Sequence, residues 1–199
     1  MKEARHASRS PYTTQSDNEL ISYVAEGDRE AFEELVGRYK NRITNYIYSI
    51  VRDGEAAVDI AQETFIRVFY KAHTFRGMVQ FSTWLYRIAT NLAINETRRR
   101  KRHPTHSLDE PGGGEEGEVR WDFPDEGPTP DACYELKEVQ RLVHHALDQI
   151  SPVYKIPLVL KEIEGYRYEE IAEILDIPEG TVKSRINRAR HALKKHLTT

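Results

Sequence analysis

Residues 168–197 read YEEIAEILDIPEGTVKSRINRARHALKKHL, and this stretch predicts two short helices joined by a tight turn. In its first part, apolar side chains recur at i, i+3, i+4 and i+7, the spacing of one helix face. The residues Asp-Ile-Pro at 176–178 break that pattern, because proline lacks an N–H and suits the first turn of the next helix. A second apolar face then follows, formed by Val182, Ile186, Ala189 and Leu193. The stretch therefore predicts a helix-turn-helix.

The second of these helices directs polar and basic residues away from its apolar face. Its outer strip consists of Lys183, Ser184, Asn187 and His191, flanked by Arg185, Arg188 and Arg190. Residues 180–199 include six Lys or Arg and no acid. Such a helix suits a DNA major groove, where short polar groups and arginines reach base edges and cations hold phosphates. A basic helix that only faces solvent is the alternative, and the preceding helix and the one-sided charge disfavour it.

The composition is that of a folded protein without membrane segments. The chain has 199 residues, of which 39% are hydrophobic and 31% charged. No apolar run approaches the roughly 18 residues that a membrane span needs. Residues 1–16 have cations but no apolar core, so they predict a disordered tail and not a secretory signal. The single cysteine, Cys133, excludes an internal disulfide, and a cytosolic setting is the simplest inference.

The net charge of −3 conceals a strong polarity along the chain. Residues 17–63 hold eleven acids and five bases, whereas residues 64–103 hold nine bases and one acid. Residues 104–131 hold nine acids, one arginine, five of the nine prolines and five of the eleven glycines. One part of the N-terminal half is therefore expected to meet nucleic acid, and residues 104–131 to form a flexible acidic linker.

Three helices are predicted before residue 73. The first is capped by Asp17, the second runs from a cap at Asp28 to Val51, and the third follows a turn at residues 52–54. The buried side of the third helix is predicted to carry Val58, Ala61, Phe65, Val68 and Ala72.

The third helix also presents an outward polar face, formed by Asp59, Gln62 and Glu63. These side chains share the spacing i, i+3, i+4 and so lie together on the helix surface. A metal or acid–base site would need a histidine or a second carboxylate pair, and none joins them. A solvated face or a basic protein partner is the favoured interpretation.

Residues 73–103 combine aromatic rings with cations. A loop around Arg76 and Gly77 precedes a helix that begins at Ser82 or Thr83, either of which can cap it. Five consecutive cations close the helix at residues 98–102. Aromatics beside cations suit unstacked bases. Packing in the core explains Trp84 equally well, whereas a functional role is favoured for the loop residues Phe75 and Phe81.

The chain resembles an extracytoplasmic-function sigma factor, a minimal member of the bacterial sigma-70 family. No strand pattern appears, so the expected fold is all-α, with helical domains at 17–103 and 132–199 joined by the linker. The resemblance covers about residues 17–197 apart from the linker. Four motifs in the same order carry it: GDREAFEELVGRY at 27–39, DIAQETFIRVF at 59–69, FSTWLYRIATNLA at 81–93, and YEEIAEILDIPEGTVKSRINRAR at 168–190.

The resemblance implies that domain 17–103 binds and opens the promoter −10 element. The face of Asp59, Gln62 and Glu63 would dock on the clamp helices of the largest RNA polymerase subunit. The loop after Phe75 would capture a base flipped from the non-template strand. The −10 residues implied are Phe75, Arg76, Phe81, Trp84, Arg87, Asn91, Asn95 and Arg98.

The resemblance further implies that domain 132–199 reads the −35 element and meets the polymerase flap. Base contacts would come from Lys183, Ser184, Asn187 and Arg188, and phosphate contacts from Thr181, Arg185 and Arg190. The chain would act without catalysis, cofactor or metal, and an anti-sigma factor would hold it in check.

Two other classes of protein compete with this interpretation. A stand-alone repressor or activator could use the same helix-turn-helix, but it would not need the acidic face or the loop between Phe75 and Trp84. It would also be expected to carry a dimerisation heptad, and none is evident. A nuclease would need acids clustered for a metal ion, and the sequence offers no convincing cluster.

Overall fold

The computed structural model describes residues 11–102 and 145–197, and within them every regular element is a helix, as predicted. The elements are α1 (Asp17–Ala25), α2 (Arg29–Val51), α3 (Gly54–Lys71), a 3₁₀ helix (Ala72–Thr74), α4 (Phe81–Arg102), α5 (Pro152–Glu162), α6 (Tyr168–Leu175) and α7 (Glu179–Leu197). The predicted acidic linker and Cys133 lie outside the described residues.

Helices α1–α4 form an N-terminal unit around the long helix α2. This helix buries one face completely, because its apolar residues keep helical spacing over its whole length. Leu35, Ile43 and Ile47 on this face are fully buried. Helices α1, α3 and α4 all pack against α2. The unit therefore holds α3 and α4, which carry the expected polymerase and −10 surfaces, on one rigid support.

The first helix begins differently from the prediction. Ser16, and not Asp17, is the N-cap of α1. The Ser16 hydroxyl accepts from the Glu19 N–H at 3.3 Å, and the Glu19 carboxylate accepts from the Ser16 N–H at 2.8 Å. This capping box satisfies two otherwise unpaired donors. Asp17 is released for long-range contacts, with the Arg38 guanidinium at 2.8 Å and the Tyr39 hydroxyl.

The disordered tail predicted for residues 1–16 includes six residues, 11–16, that have a defined structure. Residues 11–16 form a turn that packs on the N-terminal unit. The Arg38 guanidinium donates to the carbonyls of Tyr12 at 2.9 Å and Gln15 at 2.9 Å. The Tyr12 hydroxyl donates to Asp28, and this hydrogen bond raises the pKa of Tyr12 to about 12. Composition signalled a tail, but it does not reveal that Arg38 offers donors to this backbone.

Helices α5–α7 form a C-terminal unit that contains the predicted helix-turn-helix. Asp176 adopts a left-handed conformation (φ 54°) between α6 and α7, and the second helix starts directly after Pro178. Val182, Ile186 and Ala189 are buried at 1% exposure or less. Leu193, predicted for the same face, is only half-buried and packs at the edge of the core.

The two units pack against each other, which sequence periodicity did not indicate. The rings of Tyr86 in α4 and Tyr166 lie 5.2 Å apart. Glu164 lies between the units with its side chain 5% exposed, and it accepts from Arg42 at 3.1 Å and from the Tyr86 hydroxyl. Burial, together with the nearby Glu164 charge, raises the pKa of Tyr86. Periodicity identifies which face of a helix is apolar, but not which partner covers it.

Candidate nucleic-acid interface

The outer face of α7 is open, as the sequence predicted. The side chains of Lys183, Ser184, Asn187 and Arg188 are exposed. The Ser184 hydroxyl donates to the Thr181 carbonyl at 2.9 Å, and the Lys183 ammonium lies 2.5 Å from Glu179. Each of these contacts lies within α7 and is accessible to water. The helix therefore presents a preformed row of polar groups to a ligand.

Two arginines on α7 have contacts with α5. The Arg190 guanidinium binds the Glu162 carboxylate at 2.5 Å, and this hydrogen bond raises its pKa. The Arg188 guanidinium lies 3.4 Å from the Tyr154 hydroxyl. Thr181 and Arg185 are half-buried at the margin of the face. Groups at such a margin are suited to backbone phosphates, which lie along both edges of a groove.

Helix α4 carries an exposed polar stripe, which consists of Arg87, Asn91, Asn95 and Arg98. These positions follow one another at intervals of four, four and three residues, so the stripe runs straight along the helix. The opposite face is buried, with Leu85, Ala89 and Ala93 at 0% exposure. Four of the eight side chains predicted from the sequence for −10 contact therefore lie together on one surface.

The cations at the end of α4 are not all available to DNA. Glu96 binds Arg99 at 2.8 Å and Arg100 at 2.7 Å, and Arg100 also reaches Asp53 at the start of α3, at 3.1 Å. Hydrogen bonds from these arginines lower the pKa of Glu96 to about 2. Part of the cation run therefore serves to fasten α4 to α3.

The loop between the 3₁₀ helix and α4 lies beside the stripe. Phe75 is half-buried and packs on Trp84, with ring centroids 5.4 Å apart. Gly77 has φ 69°, a backbone conformation that favours glycine, and Met78 is 87% exposed. The loop is thus anchored by an aromatic pair and projects its middle into solvent.

Phe81 is not a base-contacting residue in this structure. Its side chain is fully buried, and its ring packs on Tyr39 at a centroid distance of 5.6 Å. The functional role predicted for it is wrong, because Phe81 is the first residue of α4 and turns inward instead of lying in the loop. It supports Trp84 from beneath, at a centroid distance of 6.3 Å.

The start of α4 also differs from the prediction. The helix begins at Phe81, and Thr83 is buried, so neither predicted residue stands ahead of the first turn as a cap. The Phe81 N–H instead donates to the side-chain oxygen of Asn18 in α1, at 2.7 Å. No local sequence signal identifies Asn18, because it is 63 residues away.

The outward face of α3 combines acids with apolar side chains. Asp59 and Gln62 are exposed, and Glu63 binds Arg67 at 2.7 Å. Beside them lie exposed apolar residues, namely Val58 at 44%, Ile66 at 49%, Phe69 at 37% and Tyr70 at 72%. The burial predicted for Val58 is wrong, because Ala57 takes the inward position. The sequence signal that could have revealed this surface is the periodic row of apolar residues on the outer side of α3.

This mixed face has the character of a protein-binding surface. Exposed aromatic and aliphatic groups bordered by charges are typical of such sites. Among residues 11–102 and 145–197 there is no cluster of three or more histidine, cysteine or acidic residues suited to a metal ion. Within the same ranges no helix is long and apolar enough to cross a membrane.

A basic helix-turn-helix beside a second polar helix and an aromatic loop is the architecture of a DNA-binding protein. The chain matches the family descriptions Sigma-70 region 2 over residues 35–103 and Sigma-70, region 4 over residues 140–193. It therefore belongs to the sigma-70 family and, by its relatives, to the extracytoplasmic-function (ECF) type. It is an RNA polymerase sigma factor that directs core polymerase to promoters, and it is not an enzyme itself.

Two relatives illustrate this membership. The RNA polymerase sigma-H factor of Pseudomonas aeruginosa is 38% identical over 185 residues, which cover 93% of this chain and 95% of that protein. The ECF RNA polymerase sigma factor SigW of Bacillus subtilis is 39% identical over 178 residues, covering 89% and 94%.

A solved structure shares the fold. The sigma factor RpoE of Bartonella quintana, solved in complex with the anti-sigma factor NepR, superposes with a TM-score of 0.64 at 21% identity. The similarity covers 84% of this chain and 97% of that one. The alternative of a stand-alone repressor or activator is not favoured, since both sigma regions are present.

Proposed function

We propose that the two units divide promoter recognition between them, with α4 and its preceding loop at the −10 element and α7 at the −35 element. The exposed stripe of Arg87, Asn91, Asn95 and Arg98 is the main support, because it places four donors along a single helix face beside the loop. Such spacing follows a nucleic-acid strand, with arginines on phosphates and asparagines on base edges.

The loop 75–80 captures a base that leaves the duplex. Phe75 and Trp84 form a partly exposed aromatic pair on which a base can stack. Arg76 is exposed beside them and holds the phosphate of the captured nucleotide. Unstacking a base costs a few kcal/mol, so a preformed pocket is needed to trap the open strand. Phe81 contributes by supporting Trp84 and not by touching DNA.

Helix α7 enters the major groove of the −35 element. Lys183, Ser184, Asn187 and Arg188 read base edges, because their side chains stand on its open face. Thr181, Arg185 and Arg190 hold the phosphates at the groove margins. Both classes of contact are needed, since phosphate contacts set the register in which base contacts become specific.

Helix α3 docks on the clamp helices of the largest polymerase subunit, and the C-terminal unit docks on the flap. Asp59, Gln62 and Glu63 supply the polar contacts of the α3 face. Ile66, Phe69 and Tyr70 supply apolar area, which usually contributes most to the affinity of a protein interface. The acidic sign of the face implies a basic partner.

A protein inhibitor completes the set of partners. The sigma factor RpoE of Bartonella quintana, which shares this fold, has been solved with the anti-sigma factor NepR bound. We infer that an anti-sigma factor covers polymerase-binding or DNA-binding surfaces of this chain as well. The site of action is the cytoplasm, where core polymerase and promoter DNA are found.

The roles proposed for the two units are tested by measuring promoter binding and promoter opening separately. With core polymerase, Asn91→Ala should lower the permanganate reactivity of −10 thymines and leave the −35 footprint in place. Arg99→Ala is the matched control, because Arg99 lies on the same helix but off the stripe and binds Glu96. Normal opening by Asn91→Ala combined with a lost −35 footprint would refute the assignment.

A further inference from the structure

The first turn of α4 is held from a distant part of the chain. The Phe81 N–H is the first donor of the helix, and the side-chain oxygen of Asn18 accepts it at 2.7 Å. The first N–H groups of a helix have no partner within the helix, so an external oxygen at this point acts as a cap. We propose that Asn18 is a positioning residue for −10 recognition, an inference that rests on the proposed function of the loop 75–80.

Asn18 itself is fixed firmly. It lies in the first turn of α1, between Asp17, which binds Arg38, and Glu19, which closes the capping box with Ser16. Leu20 and Ile21, which follow on α1, are completely buried. The amide of Asn18 therefore has a rigid support, which a positioning contact requires.

Helix α1 lies under both ends of the loop. It packs against the 3₁₀ helix, where the loop begins, and against α4, where the loop ends. At the beginning, the Phe75 N–H donates to the Ala72 carbonyl at 3.0 Å. At the end, the Asn18 contact fixes Phe81. Between these anchors the loop is open, with Met78 87% exposed.

The contact between Asn18 and Phe81 affects the position in which a captured base is held. Trp84 lies one turn after Phe81 and forms the aromatic pair with Phe75 across the loop. If Phe81 loses its external partner, the first turn of α4 frays and Trp84 loses its fixed distance from Phe75. The pocket then has to be ordered during base capture, which weakens binding of the single strand.

Two substitutions separate this role from a general stabilising one. Asn18→Ala removes the acceptor, whereas Asn18→Asp keeps an oxygen in the same place and adds a negative charge that a helix N-terminus favours. Asp28→Ala is the matched control, because it removes an N-cap hydrogen bond of the same kind, from the Ala31 N–H at 3.0 Å, at the start of α2 and not of α4.

The experiment measures binding by holoenzyme assembled from core polymerase. The probe is the single-stranded non-template −10 segment of a promoter that the wild-type holoenzyme opens. We expect Asn18→Ala to bind it about fivefold more weakly, which corresponds to the roughly 1 kcal/mol of helix stability that a lost N-cap costs. Asn18→Asp and Asp28→Ala should bind like the wild type. Affinity for core polymerase and for a −35 duplex should be unchanged in all three variants.

Several results would overturn the inference. Unchanged binding of the single strand by Asn18→Ala, or equal weakening by Asp28→Ala or by Asn18→Asp, would show that the acceptor at Asn18 does not position the loop. Amide exchange on the free chain tests the contact without DNA, since Phe81 should exchange faster only in Asn18→Ala. A wild-type holoenzyme that opens no promoter would refute the proposed function itself, and this outcome is distinct from a failure of the variants.

Discussion

Arg188 and Arg190 lie two residues apart on α7, yet they have different surroundings. Arg190 is turned toward α5 and held by Glu162 at 2.5 Å, at the margin of the open face. Arg188 is exposed, and its guanidinium lies 3.4 Å from the Tyr154 hydroxyl. Because a base edge is read from the centre of a groove and a phosphate from its margin, the two arginines are expected to have different roles.

Substitution of Arg188 by alanine should relax base preference at one −35 position. The expected cost is about 1–3 kcal/mol on the preferred sequence, because an arginine that reads a guanine edge makes two hydrogen bonds to it. Holoenzyme binding to a set of single-base variants of the −35 element measures it. Arg190→Ala is the control and should weaken all sequences alike. A uniform loss for Arg188→Ala would make it a phosphate contact.

Glu96 gives the stability of the N-terminal unit a defined pH dependence. Its pKa in the folded chain is lowered from 4.5 to about 2 by hydrogen bonds with Arg99 and Arg100. A lowered acid pKa stabilises the fold above the unfolded value, and this contribution is lost as pH falls from about 4.5 to about 2.

Glu96→Gln should therefore destabilise the fold at neutral pH and approach the wild type near pH 2. The cost at neutral pH is roughly 1 kcal/mol, because solvent screens the exposed Arg99. Urea unfolding at a series of pH values measures the difference. Glu33→Gln, at an exposed site on α2, is the control and should show a smaller pH dependence. A pH-independent difference for Glu96→Gln would contradict the assignment.

At the scale of elements, α3 shows how one helix serves both the fold and a partner. Its inner face carries Ala57, Ala61 and Val68, each buried at 3% or less. Its outer face carries Asp59, Gln62 and Glu63 beside exposed apolar groups. Since the outer charges contribute little to the core, they can be changed without unfolding the helix.

Reversal of charge at Asp59 and Glu63 to lysine should abolish polymerase binding while the fold stays intact. The acidic face would then repel its basic partner. The loss of the Glu63–Arg67 pair costs only a few tenths of a kcal/mol. Affinity for core polymerase and thermal unfolding measure the two effects. Glu26 at the end of α1 and Glu30 in the first turn of α2 are exposed, and they provide the control reversal. Equal binding by both double variants would contradict the docking site.

The limits of sequence-based prediction are also clearest for single elements. Periodicity located α2, α6 and α7, because the continuous apolar stripe of each helix is visible in the sequence whichever element packs against it. For α3, periodicity predicted that Val58 is buried. The helix instead buries the neighbouring Ala57 and leaves Val58 exposed. A small residue such as alanine contributes little to a hydrophobic pattern, so the pattern assigned the inward position to the larger valine.

The start of α4 was beyond local prediction for a different reason. The pattern there contained two good capping residues, Ser82 and Thr83, and the cap lies instead on Asn18 in another helix. Phe81 was likewise assigned to the loop because Gly77, four residues earlier, signals a turn, while its burial depends on Tyr39 in α2. Contacts that join distant segments leave no periodic trace in either segment.

At the scale of the whole molecule, the packing of the two units restricts what the free chain can bind. Helix α6 packs against α4 on one side and against α7 on the other. Helices in contact lie about 8–10 Å apart, so the axes of α4 and α7 come within about 20 Å of each other at their closest approach. The −10 and −35 elements are about 85 Å apart along B-DNA. The units must therefore separate before both elements are bound at once.

Glu164→Ala should weaken this packing in the free chain. Arg42 and the Tyr86 hydroxyl would lose their shared carboxylate at the interface, which costs about 1–3 kcal/mol. Small-angle scattering should show a larger radius of gyration. Glu162→Ala is the control two residues away, because Glu162 binds Arg190 within its own unit. Identical scattering by Glu164→Ala and the wild type would show that Glu164 does not hold the units together.

The central claim is that the chain gives core RNA polymerase its promoter specificity. In vitro transcription from a library of promoter sequences, with purified core polymerase and this protein, tests the claim most directly. We expect specific initiation only when both components are present, from templates that share one −10 and one −35 element. Tight promoter binding by the protein alone, with no gain in initiation when core polymerase is added, would contradict the claim.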